Sequence, residues 1–516
     1  MMKNLSLGIS LLVALCLNAC STNPVTGESE FSLVSEEQEV NIGNQQYQPT
    51  KQSQGGDYDV DEDLSAYVNE VGQRLAAVSD RDLPYEFSVL NNGVPNAWAL
   101  PGGKISVNRG LLVELDNEAE LAAVLAHEIV HAAARHSAQA VTRGTLLQGA
   151  LIAGAIGSQD SDYSNLIVGG AQVGAQLINQ GYGRDAERES DRYGIEYMLE
   201  AGYDPEAAVS LQETFVRLSE ENNPGWLQGL FASHPPSQER VENNREMVEA
   251  LQPQIAGRDM ELGRERYQQQ IAFLKESQPA YDLFDEAQEN IANDDLDAAM
   301  DKARQASEMV PQEARFIGLQ GDILFYRNQY RDAIEAYDQA LRLDDDYFDY
   351  YLGRGVSWSR LGSAQEARRD LEQSAELLPT AIAMNELGKI ELDSGNRNQA
   401  IEYFQVAASG EGPVSREARE YLIRLDLPNN PGNYVQTQPM VANNNRLVAR
   451  VTNPTHVDMQ NVTVEFATAV NGQTGRQRRT VSSLPAGASV DVDSGITLPA
   501  GQQPQVSISV SSATVE

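Results

Sequence analysis

The sequence predicts a multidomain, mainly α chain: an α+β domain, an α-solenoid of short helical repeats, and a C-terminal all-β, sandwich-like domain. Three observations predict it. The 516 residues are enough for about three domains at roughly 150 residues each. Small residues recur every 34, 34 and 33 positions through the second half of the chain. Past residue 432, apolar residues alternate with period two between Gly, Pro and Asn turns. Hydrophobic residues make up 41% of the chain, so a sizeable core is available.

Charge is one-sided, with 38 Lys and Arg against 75 Asp and Glu, a net of −37. Such a chain repels a phosphate backbone, and nucleic-acid binding needs clustered Lys and Arg, so that class is excluded. The same balance argues against attraction to anionic lipid through a basic surface.

The N-terminus reads as a signal peptide over residues 1–19. Lys3 supplies the positive charge, and the apolar stretch Leu5 to Leu17 falls short of the roughly 20 residues that span a membrane. Leu17-Asn18-Ala19-Cys20-Ser21 resembles a bacterial lipobox. That resemblance implies cleavage before Cys20, lipidation of its thiol and, with Ser21 following, sorting to the outer membrane. An ordinary cleaved signal ending near a cysteine is the alternative. Cys16 leaves with the signal, so the mature chain keeps one thiol and no internal disulfide. The Gly/Ala-rich Leu146 to Gly157 is also too short to span.

A tether and first helix occupy 20–58, where Ser35-Glu36-Glu37-Gln38 has the form of a capping box. A second folded region follows over 59–275. Leu64, Val68, Val71, Leu75 and Val78 repeat at helical spacing. Tyr85 to Leu90 and Lys104 to Asn108 read as strands around Asn91-Asn92-Gly93 and Pro101-Gly102-Gly103. Asp116 or Asn117, with Glu118 and Glu120 behind it, opens a long helix expected to run through His136.

Over 276–427, Ala287, Gly321, Gly355 and Gly388 head about four repeats. Ala299, Ala333, Ala367 and Ala400 follow at one fixed offset, and Ala306, Ala340, Ser374 and Ala407 at another. Small residues at these offsets let paired helices approach, which is the tetratricopeptide pattern. Such stacks present surfaces for peptides or proteins, or act as spacers. Over 433–516, Leu447 to Val451 and Val462 to Phe466 alternate as antiparallel strands, with no catalytic constellation.

The chemistry lies in His127-Glu128-Ile129-Val130-His131. On a helix, i and i+4 share a face, so two imidazoles hold one Zn²⁺ while Glu128 is aimed at its water. Two incidental histidines are the bland alternative. Catalytic zinc takes a third protein ligand. His136 lies nine residues after His127, about 180° round a continuous helix at 100° per residue, so it reads as a packing or supporting residue. Glu187 and Asp191, at i and i+4, fit better: Glu187 completes the triad and Asp191 accepts from a ligand imidazole. The same spacing occurs in surface ion pairs.

Asn96 to Gly103, His127 to His131, Tyr182-Gly183-Arg184 through Asp191, and His234-Pro235 with Arg240 occur in the order of the BepA/HtpX-like family-48 metallopeptidases. Asn23-Pro24-Val25-Thr26-Gly27 after the lipobox does too. The chain resembles that family over roughly residues 22–250. The resemblance implies a gluzincin-type fold, one Zn²⁺ per chain on His127, His131 and Glu187, and Glu128 as general base. It implies a proton-donor role for Asp191, His234 as a regulatory fourth ligand, and Arg240 facing the substrate carbonyl. Gly183 and Ser190 depart from residues common in relatives, and neither is a ligand. Lys104 to Asn108 is expected to bind substrate backbone as an added strand.

The expected function is a periplasmic zinc endopeptidase, lipid-anchored to the outer membrane, acting on unfolded or misassembled outer-membrane β-barrel proteins. The helical stack would present clients or dock on the β-barrel assembly machinery. A non-enzymatic periplasmic chaperone or scaffold is the alternative. An integral prenyl-protein protease needs several spans that the chain lacks.

Overall fold

A computed structural model of the chain describes residues 20–142, 181–220, 226–227, 229–442, 444–470, 473–498 and 505–515. The expected signal peptide, the Leu146 to Gly157 stretch and the side chain of Cys20 lie outside that description. The chain forms an N-terminal unit through Ser357, which also takes in Glu376–Leu378, and a C-terminal unit of Trp358–Ala375 and Pro379–Glu516.

The N-terminal unit begins with a hairpin of β1 (Cys20–Thr22) and β2 (Ser29–Phe31). The capping box is present: Ser35 Oγ accepts from Gln38 N at 3.2 Å, and Gln38 Oε1 accepts from Ser35 N at 2.8 Å. These bonds satisfy donors that the start of helix Glu36–Ser53 leaves open. Asp61 caps the next helix, Glu62–Ala76. Its Leu64, Val68, Val71 and Leu75 face the core.

Beside it lies a mixed sheet of β3 (Glu86–Leu90), β4 (Ala97–Leu100) and β5 (Lys104–Asn108), in the order β3-β5-β4. β3 runs parallel to β5, and β4 antiparallel. No alternation marks β4, because all four of its residues are buried. One expectation is corrected here. Lys104 to Asn108 is the central strand, with both edges already paired, so it cannot accept a substrate strand; β3 and β4 are the edge strands. At the β4–β5 turn Gly102 and Gly103 take φ of 79° and 84°, a region that side-chain-bearing residues avoid.

Helix Glu118–Ala133 runs through the core, and every residue of it except His127 is buried. Asn117 caps it, its side chain accepting from Glu120 N at 3.0 Å. Helices Arg184–Ala201 and Glu206–Glu220 pack against it, and Gln238–Ile255 packs on those two. The same apolar core continues through Tyr267, Leu274 and Tyr281 into Phe316 and Ile323.

Helical hairpins follow: Ala272–Ala292 with Leu296–Met309 and Ala314–Tyr326 with Tyr330–Leu343 in the N-terminal unit, and Ala381–Asp393 with Arg397–Ala408 in the C-terminal unit; helices Phe348–Arg360 and Ala364–Leu377 come between them in sequence. The small residues of the repeat are all buried. Tight approach explains them: a Cβ on Gly321 would lie 2.7 Å from the Tyr337 ring, and one on Gly388 2.7 Å from Phe404.

In the C-terminal unit, helix Pro413–Asp426 precedes six strands: β6 (Gln436–Val441), β7 (Arg446–Thr452), β8 (Met459–Val470), β9 (Gln473–Leu484), β10 (Ser489–Thr497) and β11 (Gln505–Val515). They form two antiparallel sheets, β10-β7-β6 and β11-β8-β9. Leu447, Ala449, Val451, Val462, Val464 and Phe466 make a shared core, as period-two alternation requires. Asn453, fully buried, donates to the carbonyls of Val457 and Leu484.

Gly321→Ala is predicted to destabilise its hairpin by about 1–3 kcal/mol through overpacking against Tyr337. Urea unfolding followed by circular dichroism measures it, and an unchanged midpoint would show that the close approach is not needed.

Candidate metal centre

The helix Glu118–Ala133 places His127 and His131 one turn apart, with their Nε2 atoms 3.0 Å from each other. Helix Arg184–Ala201 crosses close to it: a Cβ on Gly194 would sit 3.3 Å from His127 N. Glu187, Asp191 and Gly194 share one face of that helix, so the glycine that permits contact also aims both carboxylates at the histidines. Glu187 Oε2 lies 3.6 Å from His127 Nε2, and Glu187 Oε1 lies 3.4 Å from His131 Nε2.

The loop after Leu230–Ser233 brings in His234. Its Nδ1 is 3.3 Å from His127 Nε2 and 3.1 Å from Glu187 Oε1. Donor atoms of His127, His131, Glu187 and His234 all fall within 4.8 Å of one another. Two ligands on a tetrahedral zinc, at about 2.0–2.2 Å each, lie roughly 3.3–3.5 Å apart. The observed separations of 3.0–3.6 Å between these donors therefore match that geometry.

Charge gives a second test of fit. Glu128, Glu187 and Asp191 are buried together with a single guanidinium, that of Arg240. Arg240 grips Asp191 with two bonds, Nε to Oδ2 at 2.7 Å and Nη2 to Oδ1 at 2.6 Å, and its Nη1 lies 3.0 Å from Glu187 Oε2. A divalent cation held there would supply positive charge to this site. Nitrogen and carboxylate donors without sulfur suit zinc, and His127, His131 and Glu187 would hold it.

The electrostatics follow from this crowding. Burial pushes the Glu128 carboxyl up from its usual range, against the pull of His234 and His127. Glu187 is held well below its usual range: burial opposes the charge, but His234 and hydrogen bonds from His131 and His234 outweigh it. Asp191 is also lowered, because Arg240 outweighs burial. Burial pushes His131 well below its usual value. His234 is raised, since the charges of Glu187 and Glu128 exceed the cost of its burial.

Asp191 Oδ1 sits 3.1 Å from His127 Nδ1, the position from which it orients the ring. Arg240, expected to face a substrate carbonyl, is instead buried and engaged by Asp191 and Glu187. Glu128 Oε1 is 3.5 Å from His234 Nε2, and its Oε2 has no hydrogen-bond partner among the described residues. Beside it is a cavity of about 40 Å³, walled by Val124, Met198, Ala208, Leu211, Phe215 and Leu230.

The expected continuous helix through His136 is corrected. The helix ends at Ala133, and Arg135 takes φ of 64° without being glycine. That break returns His136 to the site, its Nδ1 2.9 Å from His131 Nδ1. Arg135 is held there by Glu39 Oε2 at 3.1 Å and Val34 O at 2.7 Å. These contacts offset the roughly 1–2 kcal/mol cost of the left-handed conformation. The sequence reading gave no role to Tyr182, whose ring stacks on His131 with centroids 3.8 Å apart. Its hydroxyl is 2.8 Å from Ser137 Oγ; its place at the head of the Tyr182-Gly183-Arg184 motif is the signal the sequence carries.

Comparison with known proteins agrees with this geometry. Residues 62–248 match the model of peptidase family M48, and residues 321–362 that of the TPR repeat. Over 197 residues the chain is 31% identical to the putative beta-barrel assembly-enhancing protease of Vibrio cholerae, covering 37% of this chain and 40% of that one. Mitochondrial metalloendopeptidase OMA1 of Schizosaccharomyces pombe is 36% identical over 193 residues, 36% of this chain and 53% of its own. The beta-barrel assembly-enhancing protease of Escherichia coli K12 is 27% identical over 245 residues, 46% and 49%. The chain thus spans about half the length of these relatives. With its donor set suited to zinc, the chain carries a peptidase family M48 domain joined to tetratricopeptide repeats.

Proposed function

We propose that the chain is a zinc-dependent endopeptidase of the periplasm, lipid-anchored through Cys20 to the outer membrane. It hydrolyses peptide bonds in unfolded or misassembled outer-membrane β-barrel proteins, with the helical repeats presenting clients or docking on the assembly machinery. The observation that carries the reading is the convergence of His127, His131 and Glu187 beside an unpaired Glu128 oxygen. The names of the bacterial relatives support the client class. Among the described residues no helix is long and apolar enough to cross a membrane.

Zinc, when bound, polarises the scissile carbonyl and acidifies water. The residues around it supply the rest. Glu128, its pKa raised by burial, takes the proton of the attacking water and passes it to the leaving amine. Asp191 holds His127 so that Nε2 faces the centre, and Arg240 fixes Asp191 and Glu187 together. Substrate backbone lies along the edge strand β4. His234 Nδ1, 3.3 Å from His127 Nε2 and 3.1 Å from Glu187 Oε1, would serve as a fourth ligand, and its loop would then have to withdraw before a substrate enters.

Glu128→Gln is predicted to keep one zinc per chain while cutting cleavage of an unfolded barrel protein by about 10²–10⁴-fold. Glu187→Gln is predicted to lose the metal as well. Metal analysis beside a protease assay reads both. Unchanged envelope function with Glu128→Gln would favour the scaffold alternative instead. His234→Ala is predicted to raise basal proteolysis; unaltered or lost activity would remove the latch from this account.

A further inference from the structure

The ligand His131 is supported from behind by a chain of buried groups that reaches the N-terminal hairpin. Its Nε2 faces the centre, so its Nδ1 carries the ring proton when Nε2 binds metal. Among the described residues, the hydrogen-bond neighbour of that Nδ1 is Nδ1 of His136, at 2.9 Å. His136 Nδ1 must therefore accept, which places the proton of His136 on Nε2. That nitrogen lies 3.5 Å from Glu189 Oε1. The same oxygen accepts from Asn23 Nδ2 at 2.8 Å.

Asn23 is fully buried, and each of its polar atoms is engaged. Nδ2 also donates to Glu30 Oε1 at 3.1 Å, and Oδ1 accepts from Val25 N at 2.9 Å and Thr26 N at 3.2 Å. Its backbone closes the turn between β1 and β2 through Glu28 O and Gly27 N. An acceptor-only carboxylate at the far end allows one direction of donation along the whole chain.

We propose that Glu189 and Asn23 are positioning residues of the metal centre, which act through His136 to fix the tautomer and ring orientation of His131. Helix Arg184–Ala201 then serves both ligands: Glu187 enters the centre, and Glu189, about 200° round the helix from it, supports His131 from behind. The Asn23 to Gly27 turn, which the sequence motif left without a task, becomes part of the site's outer support. The inference rests on the metallopeptidase reading above.

The test measures zinc affinity of the full chain by competition with a chromophoric chelator, and the visible spectrum of the Co²⁺-substituted protein. Glu189→Ala is expected to weaken zinc binding about 10–100-fold, the usual effect of removing a partner of a ligand histidine, and to alter the Co²⁺ spectrum. Glu189→Gln keeps an acceptor oxygen for His136 and is expected to recover most of the affinity. If Glu189→Ala does not fold, His136→Phe fills the ring volume without the acceptor and is expected to show the same loss. Affinity within about twofold of wild type in Glu189→Ala or His136→Phe overturns the proposal. So does Glu189→Gln binding as poorly as Glu189→Ala. A wild-type chain that binds no zinc overturns the metallopeptidase reading itself.

Discussion

Three carboxylates buried around one guanidinium form the constraint on which the centre depends. Each uncompensated ion in such a place costs several kcal/mol. The fold meets that cost in part through the two-bond grip of Arg240 on Asp191 and its contact with Glu187. Burial raises the Glu128 carboxyl, and the charges of Glu187 and Glu128 raise His234 against its own burial. A zinc ion held by His127, His131 and Glu187 would offset the negative charge that Arg240 leaves uncompensated.

Holding such a centre takes rigidity on all sides. The motif helix is buried along its length, and Gly194 lets the carboxylate helix come within contact of its backbone. At the end of the motif helix, Glu39 binds both Arg81, at 2.6 Å, and Arg135. One acidic residue of the first helix thereby locks the turn that carries His136. The N-terminal segment is therefore built into the M48 domain.

Much of this was legible in the residues. His127 with His131, and Glu187 with Asp191, sit at spacings that force them onto single faces, and the structure brings both faces together. The repeat was legible because Gly321 and Gly388 meet aromatic rings that leave no room for a side chain. What stayed hidden depends on partners far away in sequence. The break at Arg135 rests on Glu39 and Val34, and a search for a helix-ending glycine there finds none. β4 is buried on both faces and so lacks alternation, and the engagement of Arg240 by two carboxylates leaves no local trace.

The four donors that converge at this centre, His127, His131, Glu187 and His234, all belong to the N-terminal unit, so the chemistry stands or falls on them. X-ray absorption at the zinc edge of the purified chain tests them most directly. The account predicts one zinc per chain with nitrogen and oxygen neighbours at about 2.0–2.2 Å, two or three of them imidazoles, and no sulfur. A chain that retains no zinc, or a first shell containing sulfur, would contradict it.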